Sequence, residues 1–297
     1  MKPMKPSKVE TVCHTAYTES KGDLFELGAV DASFCSGRQP AWGELQVHVA
    51  SKLDPDLLAR ALCAALDSAH IIGGHRSGHC ISSTGAVRLT AAQMLKETPV
   101  KGPATSGLYE PPLQTEDGCF EVLTMRVTAL GLPSAGSILG VTWDHALCDV
   151  GGISLLLANV AAVYSGSPPP HPLHHNRAWQ RSLIQGSPPT RNLGLPSRPP
   201  VPRGDGVGSL SWCYSAAALA GLKSCSAAHT RHDALWADII LLLRNAGHPV
   251  KTVSVSRDGR SRSQGNSQPN HFGNGTVKCK PLPFGDVPLM ANVCLCR

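Results

Sequence analysis

Apolar and polar residues alternate along several short stretches of the chain, which is the pattern of strands that bury one face. ELQVHV alternates Leu45, Val47 and Val49 with polar residues, and this period of two predicts a half-buried strand. CFEVLTMRVTA and SILGVTW predict two more strands. The second of these is more continuously apolar, so we expect it to lie nearer the centre of its sheet.

Other segments carry apolar residues at helical spacing. DPDLLARALCAALDSAH predicts a helix with Asp54 as N-cap and Pro55 as its first residue. GGISLLLANVAAVYSG and AAALAGLKS also predict helices. Thr230 with Asp233 has the spacing of a capping box before a further helix, which Gly247 ends. Strands and helices therefore alternate, as they do in an α/β protein.

A proline-rich stretch divides this pattern in two. Residues 165–208 contain ten prolines, too many for a helix or strand to continue through them. A chain of 297 residues is also long enough to expect two lobes. We therefore predict a first lobe over residues 1–185, a crossover linker over 186–208 and a second lobe over 209–297. HPLHH, at the start of the stretch, is interpreted as a solvated loop rather than a metal site.

Composition narrows the class of protein. A chain that is 42% hydrophobic and 16% charged is expected to be globular. A formal charge of +6 with only 5% aromatic residues argues against nucleic-acid binding. Eleven cysteines without C-x-x-C pairs favour free thiols in a reducing compartment, and no metal site is predicted. Without a secretory signal or a long apolar stretch, a cytoplasmic protein with no membrane span is expected.

The chemistry most clearly indicated lies in WDHALCDVGG. His145 follows a strongly apolar predicted strand, and Asp149 leads into Gly151, Gly152 and a predicted helix. Junctions of this kind in α/β folds bring side chains to a cleft, and glycines allow close approach of the backbone. The bare His-x-x-x-Asp spacing carries little weight, because a second such pair at a helix start is explained by capping. The flanking pattern therefore favours His145 as the candidate.

VTWDHALCDVGG resembles the His-x-x-x-Asp-Gly signature of the BAHD-type acyl-CoA-dependent acyltransferases, which include the plant hydroxycinnamoyl and alcohol acyltransferases. Four further segments resemble family segments in the same order, over roughly residues 20–277. They are LFELGAVDASF with Asp31, LLARALCAALDSAHIIGGHR, HTRHDALWADI, and RDGRSRSQGNSQPNHFGNGTV with His271 at the usual tyrosine. Five segments in order are far more specific than one.

The resemblance implies both a fold and a reaction. The fold would be two-lobed α/β, like that of chloramphenicol acetyltransferase. The reaction would move an acyl group from acyl-CoA, a co-substrate rather than a bound cofactor, to a small-molecule alcohol or amine. His145 would be the general base, because neutral imidazole accepts protons near neutral pH. A monomer is expected, with a role in specialised metabolism.

The resemblance also implies supporting roles. Asp149 would orient the loop, with Arg231 as its cationic partner, since an unpaired buried charge costs several kcal/mol. Three arginines are candidates for coenzyme A phosphates, although a solvated basic turn explains them equally well: Arg257, Arg260 and Arg262. Trp143 and Cys148 are interpreted as packing residues.

Two departures from the family pattern keep alternatives open. The motif Asp-Phe-Gly-Trp-Gly does not follow Val277, so a truncated chain with an incomplete second lobe is expected. One alternative is therefore a catalytically impaired, acyl-CoA-binding pseudoenzyme. Another is a condensation or wax-ester-type acyltransferase, although those favour a second histidine where Asp144 stands.

Overall fold

A computed structural model gives the conformation of most of the chain. The described residues are 12–17, 24–27, 31, 41–66, 69–83, 86–93, 108–130, 136–175, 180, 214–225, 230–247, 252–253, 256–260, 268–278 and 282–283. They group into two compact units. The first unit is Met1–Val201 with Gly259–Gly275, and the second is Pro202–Asp258 with Thr276–Arg297.

The described strands and helices are numbered here in chain order. The strands are β1 (Val12–Tyr17), β2 (Leu24–Glu26), β3 (Trp42–Val49), β4 (Gly74–Ser77), β5 (Cys80–Ser83), β6 (Ala86–Gln93), β7 (Phe120–Glu121), β8 (Leu123–Ala129), β9 (Ser137–Asp144), β10 (Thr252–Val253), β11 (Ser256–Asp258), β12 (Thr276–Lys278) and β13 (Leu282–Pro283). The helices are α1 (Pro55–Leu66), α2 (Val150–Tyr164), α3 (Ala216–Ser224) and α4 (Arg231–Asn245), and His70–Ile72 forms a 3-10 turn.

The first unit is built on a five-stranded sheet in the order β1-β6-β8-β9-β3. Neighbouring strands run antiparallel, except that β6 and β8 are parallel. Every residue of β9 is buried, as its continuous apolar run predicts for a strand with a neighbour on each side. A second sheet has the order β2-β5-β4-β7. The end of β9 therefore lies inside the larger sheet, where its following loop is firmly supported.

The main core of this unit joins the five-stranded sheet to α1 and α2. Alternate strand residues such as Met125, Val127 and Val141 are buried with Leu62 of α1 and Ile153 of α2. The period of two in the strands and the helical stripe in α1 thus supply the same core. Helix α2 ends where Gly166 takes a left-handed conformation (φ 79°), and prolines follow.

The second unit contains α3, α4 and two short antiparallel strand pairs, β10 with β13 and β11 with β12. The predicted capping box is confirmed at the start of α4. The Thr230 hydroxyl accepts from the Asp233 backbone N–H, and the Asp233 carboxylate accepts from the backbone N–H of Thr230. Local sequence alone is thus sufficient to place the start of this helix.

Most of the predicted elements are confirmed, but the interpretation of HPLHH is wrong. HPLHH is not a solvated loop: Leu173 is buried in the core, and His174 forms a β-bridge with His271. A high content of proline indicates that a segment has no regular secondary structure. A loop of this kind can still pack against the core. The predicted linker over residues 186–208 lies outside the described residues and stays a prediction, as does the strand in SLSWCYS.

Among the described residues, none of the helices is both long and apolar enough to cross a bilayer. The same residues contain no group of three or more His, Cys, Asp or Glu side chains arranged to hold a metal ion.

Candidate active site

His145 begins the turn that joins β9 to α2. Its backbone N–H donates to the carbonyl of Ala41 (2.7 Å), and the Leu147 N–H donates back to the carbonyl of Asp144 (2.9 Å). The side chain of His145 is half-buried. The imidazole is therefore supported by the first unit without being sealed inside it.

The residue before His145 anchors the end of the strand. Asp144 is fully buried and forms an ion pair with Arg76 of β4. Its Oδ1 also accepts from the Ala146 N–H (3.0 Å), and Arg76 Nη1 donates to the carbonyl of Gly78 (2.9 Å). Burial raises the pKa of the Asp144 carboxyl, and the Ala146 N–H and Arg76 oppose the rise. Asp144 thus ties the last residue of β9 to the second sheet.

Trp143 and Cys148 are part of the buried interior, as expected of residues interpreted as packing residues. Both are buried, and Trp143 Nε1 donates to the carbonyl of Cys148 (2.9 Å). Gly43, opposite Trp143 on β3, leaves space for the indole, because a Cβ there would lie 2.4 Å from the ring. Burial raises the pKa of the Cys148 thiol well above its usual value, so this cysteine is a poor nucleophile.

Asp149 closes the loop and starts α2. It is the N-cap of the helix, and its Oδ1 accepts from the Gly152 N–H (2.9 Å). Its Oδ2 accepts from the Gly275 N–H (2.9 Å). The carboxylate is 6% exposed, so these donors and a cation replace the water that a buried charge loses.

The cation on Asp149 is Arg260, which corrects the expectation that Arg231 would supply it. Arg260 Nη2 donates to Asp149 Oδ1 (2.6 Å) and Nη1 to Oδ2 (3.2 Å). Arg260 lies in the Gly259–Gly275 segment that groups with the first unit, and its Nε is held by the His271 carbonyl (2.9 Å). The planar guanidinium matches both carboxylate oxygens. Arg231 begins α4 and its side chain is exposed.

The expected group of phosphate-binding arginines changes accordingly. Arg260 is 3% exposed and its guanidinium is engaged by Asp149 and by the carbonyls of His271 and Gly273, so the phosphate role predicted for it is wrong. Arg257 lies in β11, but its side chain is not among those described. Arg262 lies outside the described residues.

Gly151 and Gly152 are each required to be glycine, for different structural reasons. A Cβ on Gly151 would lie 2.5 Å from Arg260 Nη1, and one on Gly152 would lie 2.8 Å from the Cβ of Cys148. Gly152 also gives its N–H to Asp149. The glycine pair is therefore required by the packing around the Asp149 ion pair.

Asn274 contacts the other end of the loop, and sequence reasoning assigned it no role. Its Nδ2 donates to the carbonyl of His145 (2.9 Å) and to Asp31 Oδ1 (2.8 Å). Gln180 Nε2 donates to the same Asp31 oxygen (2.7 Å). Asp31 and Asn274 belong to segments noted for their family resemblance, which was the available signal, whereas no sequence pattern marks Gln180.

His271, at the position where the resembled family has tyrosine, is fully buried beside this network. Its ring stacks on that of His175 with centroids 5.7 Å apart, and His175 Nδ1 lies 2.8 Å from the carbonyl of Phe272. Burial, with smaller effects from His175 and Arg260, lowers the pKa of His271 to about 3. His271 is therefore neutral and structural at physiological pH.

Comparison with known proteins gives the fold. No model of a protein family and no curated protein matches the sequence. Among solved structures, vinorine synthase aligns with a TM-score of 0.64 and 14% identity, covering 96% of this chain and 74% of that chain. TRI101 of F. graminearum, solved with coenzyme A and T-2 mycotoxin, aligns with a TM-score of 0.61 and 13% identity, covering 91% and 73%.

The first condensation domain of the calcium-dependent antibiotic synthetase also aligns, with a TM-score of 0.60 and 13% identity, covering 92% of this chain and 74% of that domain. At these identities the likeness concerns the fold alone. The predicted fold class is confirmed: this chain has the α/β fold shared by these acyltransferases and condensation domains, the chloramphenicol acetyltransferase-like fold.

Proposed function

We propose that the protein transfers an acyl group from acyl-CoA to a small-molecule alcohol or amine, with His145 as the general base. The observation that carries the proposal is that the backbone of the His145 loop is fixed by hydrogen bonds while the His145 ring is not enclosed. The imidazole is half-buried, while a part-buried hydrogen bond holds the loop at the carbonyl of His145 and a buried one holds it at the carboxylate of Asp149. A base whose backbone is fixed and whose ring is not sealed off suits proton transfer at a bound substrate.

The proposed step needs one proton acceptor and no covalent enzyme intermediate. The imidazole takes the proton of the acceptor O–H or N–H while the acceptor oxygen or nitrogen attacks the thioester carbonyl carbon. The C–S bond then breaks, and the departing coenzyme A thiolate takes the proton from the imidazolium, so that an ester or amide and a free thiol are formed. Cys148 is not required as a nucleophile, since burial raises its pKa.

Asp149 would act through structure in this scheme. Its oxygens already accept from Arg260, Gly152 and Gly275, which is the pattern of a carboxylate that holds a loop in place. Removing it would disturb the loop that carries His145, without removing a group that touches substrate.

The fold neighbours support an acyl-CoA donor. TRI101 was solved with coenzyme A and T-2 mycotoxin. The fold can therefore bind coenzyme A together with a small organic molecule. Transfer by a condensation-type enzyme is less favoured. The position that would carry a second histidine is Asp144, which is engaged by Arg76 in the interior.

The test is thiol release from acetyl-CoA and from a longer acyl-CoA, with and without a panel of alcohols and amines. We expect release that depends on an acceptor, with its loss in His145→Ala. The matched control is His48→Ala, which removes an exposed imidazole from β3 and should leave turnover unchanged. Acyl-CoA binding without turnover in the native chain would favour the binding-only alternative. Equal turnover in the native chain and His145→Ala would contradict the proposed base.

A further inference from the structure

Residues 273–275, called the clamp segment here, contact both ends of the His145–Asp149 loop. Asn274 Nδ2 donates to the carbonyl of His145 (2.9 Å), and the Gly275 N–H donates to Asp149 Oδ2 (2.9 Å). The Gly273 carbonyl accepts from Arg260 Nη2 (2.6 Å), the nitrogen that also binds Asp149. Three consecutive residues therefore hold the start and the end of the loop.

Within the clamp segment, Asn274 is the residue that reaches His145. It is fully buried, and both groups that face its Nδ2, the Asp31 carboxylate and the His145 carbonyl, are acceptors. The hydrogen-bond partners thus fix which amide atom is nitrogen. Its Oδ1 is buried and has no hydrogen-bond partner among the described residues. A buried acceptor without a donor destabilises the folded protein, so the contribution of Asn274 at this position comes from its N–H donors.

Asp31 explains why the amide holds its orientation. The carboxylate is 1% exposed and accepts from Asn274 Nδ2 (2.8 Å) and Gln180 Nε2 (2.7 Å) on the same oxygen. Hydrogen bonds to a charged group are about twice as strong as neutral ones. The anion at Asp31 therefore aims one N–H of Asn274 at itself, which leaves the other aimed at the His145 carbonyl.

We propose that Asn274 is the positioning residue for His145, set in its orientation by Asp31; this rests on the proposed function of His145. The hydrogen bond to the His145 carbonyl fixes the backbone from which the imidazole projects. Displacement of a catalytic group by about 1 Å can cost on the order of a hundredfold in rate. Loss of the Asn274 donor lowers kcat by about 10- to 100-fold while the KM for acyl-CoA stays within about twofold.

Three variants separate positioning from stability. Asn274→Asp keeps the shape but turns an acceptor toward the His145 carbonyl. The swap Asp31→Asn with Asn274→Asp keeps the net charge and rebuilds a donor–acceptor pair between positions 31 and 274, yet still offers His145 no donor. Gln180→Met removes a donor from the same Asp31 oxygen, and the hydrogen bonds of Gln180 run to Asp31 and to the backbone of Asn274, not to His145.

Each variant is measured for kcat, KM, Tm and the NMR signal of the His145 ring, assigned by its loss in His145→Gln. We expect Asn274→Asp to lower kcat and shift the ring signal. The swap should recover Tm without recovering kcat. Gln180→Met should lower Tm, but it should change kcat and the ring signal much less than Asn274→Asp does, because Gln180 does not donate to His145. Native kcat with an unmoved ring signal in Asn274→Asp would overturn the inference, as would a kcat that follows Tm in all three variants.

The two proposals fail in distinguishable ways. If the native chain shows no turnover, the proposed reaction is wrong, and the ring signal alone decides the role of Asn274. A signal that moves clearly more in Asn274→Asp than in Gln180→Met supports the positioning role. A signal that stays in place in both overturns it.

Discussion

Asp149 is the residue on which the structure of the candidate site depends most, because its carboxylate is buried. Arg260 donates to both of its oxygens, and the Gly152 and Gly275 N–H groups donate to them as well. The cost of desolvating two charges offsets most of the attraction within such a pair, whereas loss of one partner leaves the other charge buried and unpaired. The ion pair is therefore more important for specifying the loop than as a source of stability.

Asp149→Asn should accordingly destabilise the protein by roughly 3–5 kcal/mol, the cost of breaking a buried pair. The free energy of unfolding from urea denaturation measures it. Asp117→Asn is the matched control, since Asp117 is exposed in a turn and the same change there should stay within about 0.5 kcal/mol. Equal, small effects for both variants would show that the ion pair is not formed.

His271 makes the stability of the folded protein depend on pH. Burial lowers its pKa from 6.5 to about 3, so between these values the unfolded chain binds a proton that the folded chain does not. Stability therefore falls as the pH falls through this window. Between about pH 6.5 and pH 5 the loss attributable to His271 is at most about 2 kcal/mol, at 1.36 kcal/mol per pH unit.

The measurement is the free energy of unfolding at about pH 6.5 and pH 5 for the native chain and for His271→Gln, which does not titrate. We expect a smaller loss on acidification in the variant, because its other ionisable groups are the same. Identical losses in the two proteins would mean that the pKa of His271 is not lowered.

At the scale of elements, the junction between β9 and α2 was predictable and its partners were not. The apolar run of SILGVTW and the helical spacing after Gly151 are local patterns, and both elements are confirmed. The arginine on Asp149 comes from 111 positions away. Periodicity reports which face of an element is buried, but it does not report what lies across the interior. The resemblance implied Arg231 as the partner, and no local pattern in the sequence marks Arg260 as the residue that is observed there.

Gly151, the second residue of helix α2, has no side chain, and this leaves room for Arg260. Gly151→Ala would place a Cβ 2.5 Å from Arg260 Nη1, and we expect it to destabilise the helix by about 1–3 kcal/mol. Gly221→Ala in α3 is the matched control, because nothing lies within 4 Å of its Cβ position. Alanine is the better helix former, so that variant should gain about 0.5–1 kcal/mol.

Amide hydrogen exchange in α2 and α3 measures each effect in its own helix. Faster exchange in α2 of Gly151→Ala and slower exchange in α3 of Gly221→Ala are the expected results. Slower exchange in both helices would show that the start of α2 has room for a side chain and that the Arg260 contact is not formed.

At the scale of the whole molecule, residues distant in sequence form the site within one compact unit. Asn274 lies 243 positions from Asp31 and 129 from His145, yet all three belong to the first unit, because Gly259–Gly275 groups with it. The fold class and His145 could be identified from segments that resemble a family in order. The contact of Gln180 with Asp31 could not, since a single polar residue leaves no period in a sequence.

The central claim is that His145 removes the proton of the acyl acceptor, and the rate of acyl transfer in a single turnover tests it most directly. Excess enzyme is mixed with acyl-CoA and a saturating acceptor, so that the chemical step is observed without product release. For His145→Gln we predict a rate about a hundred- to ten-thousand-fold below that of the native chain, the usual contribution of a positioned base. Equal rates in the two proteins would contradict the account.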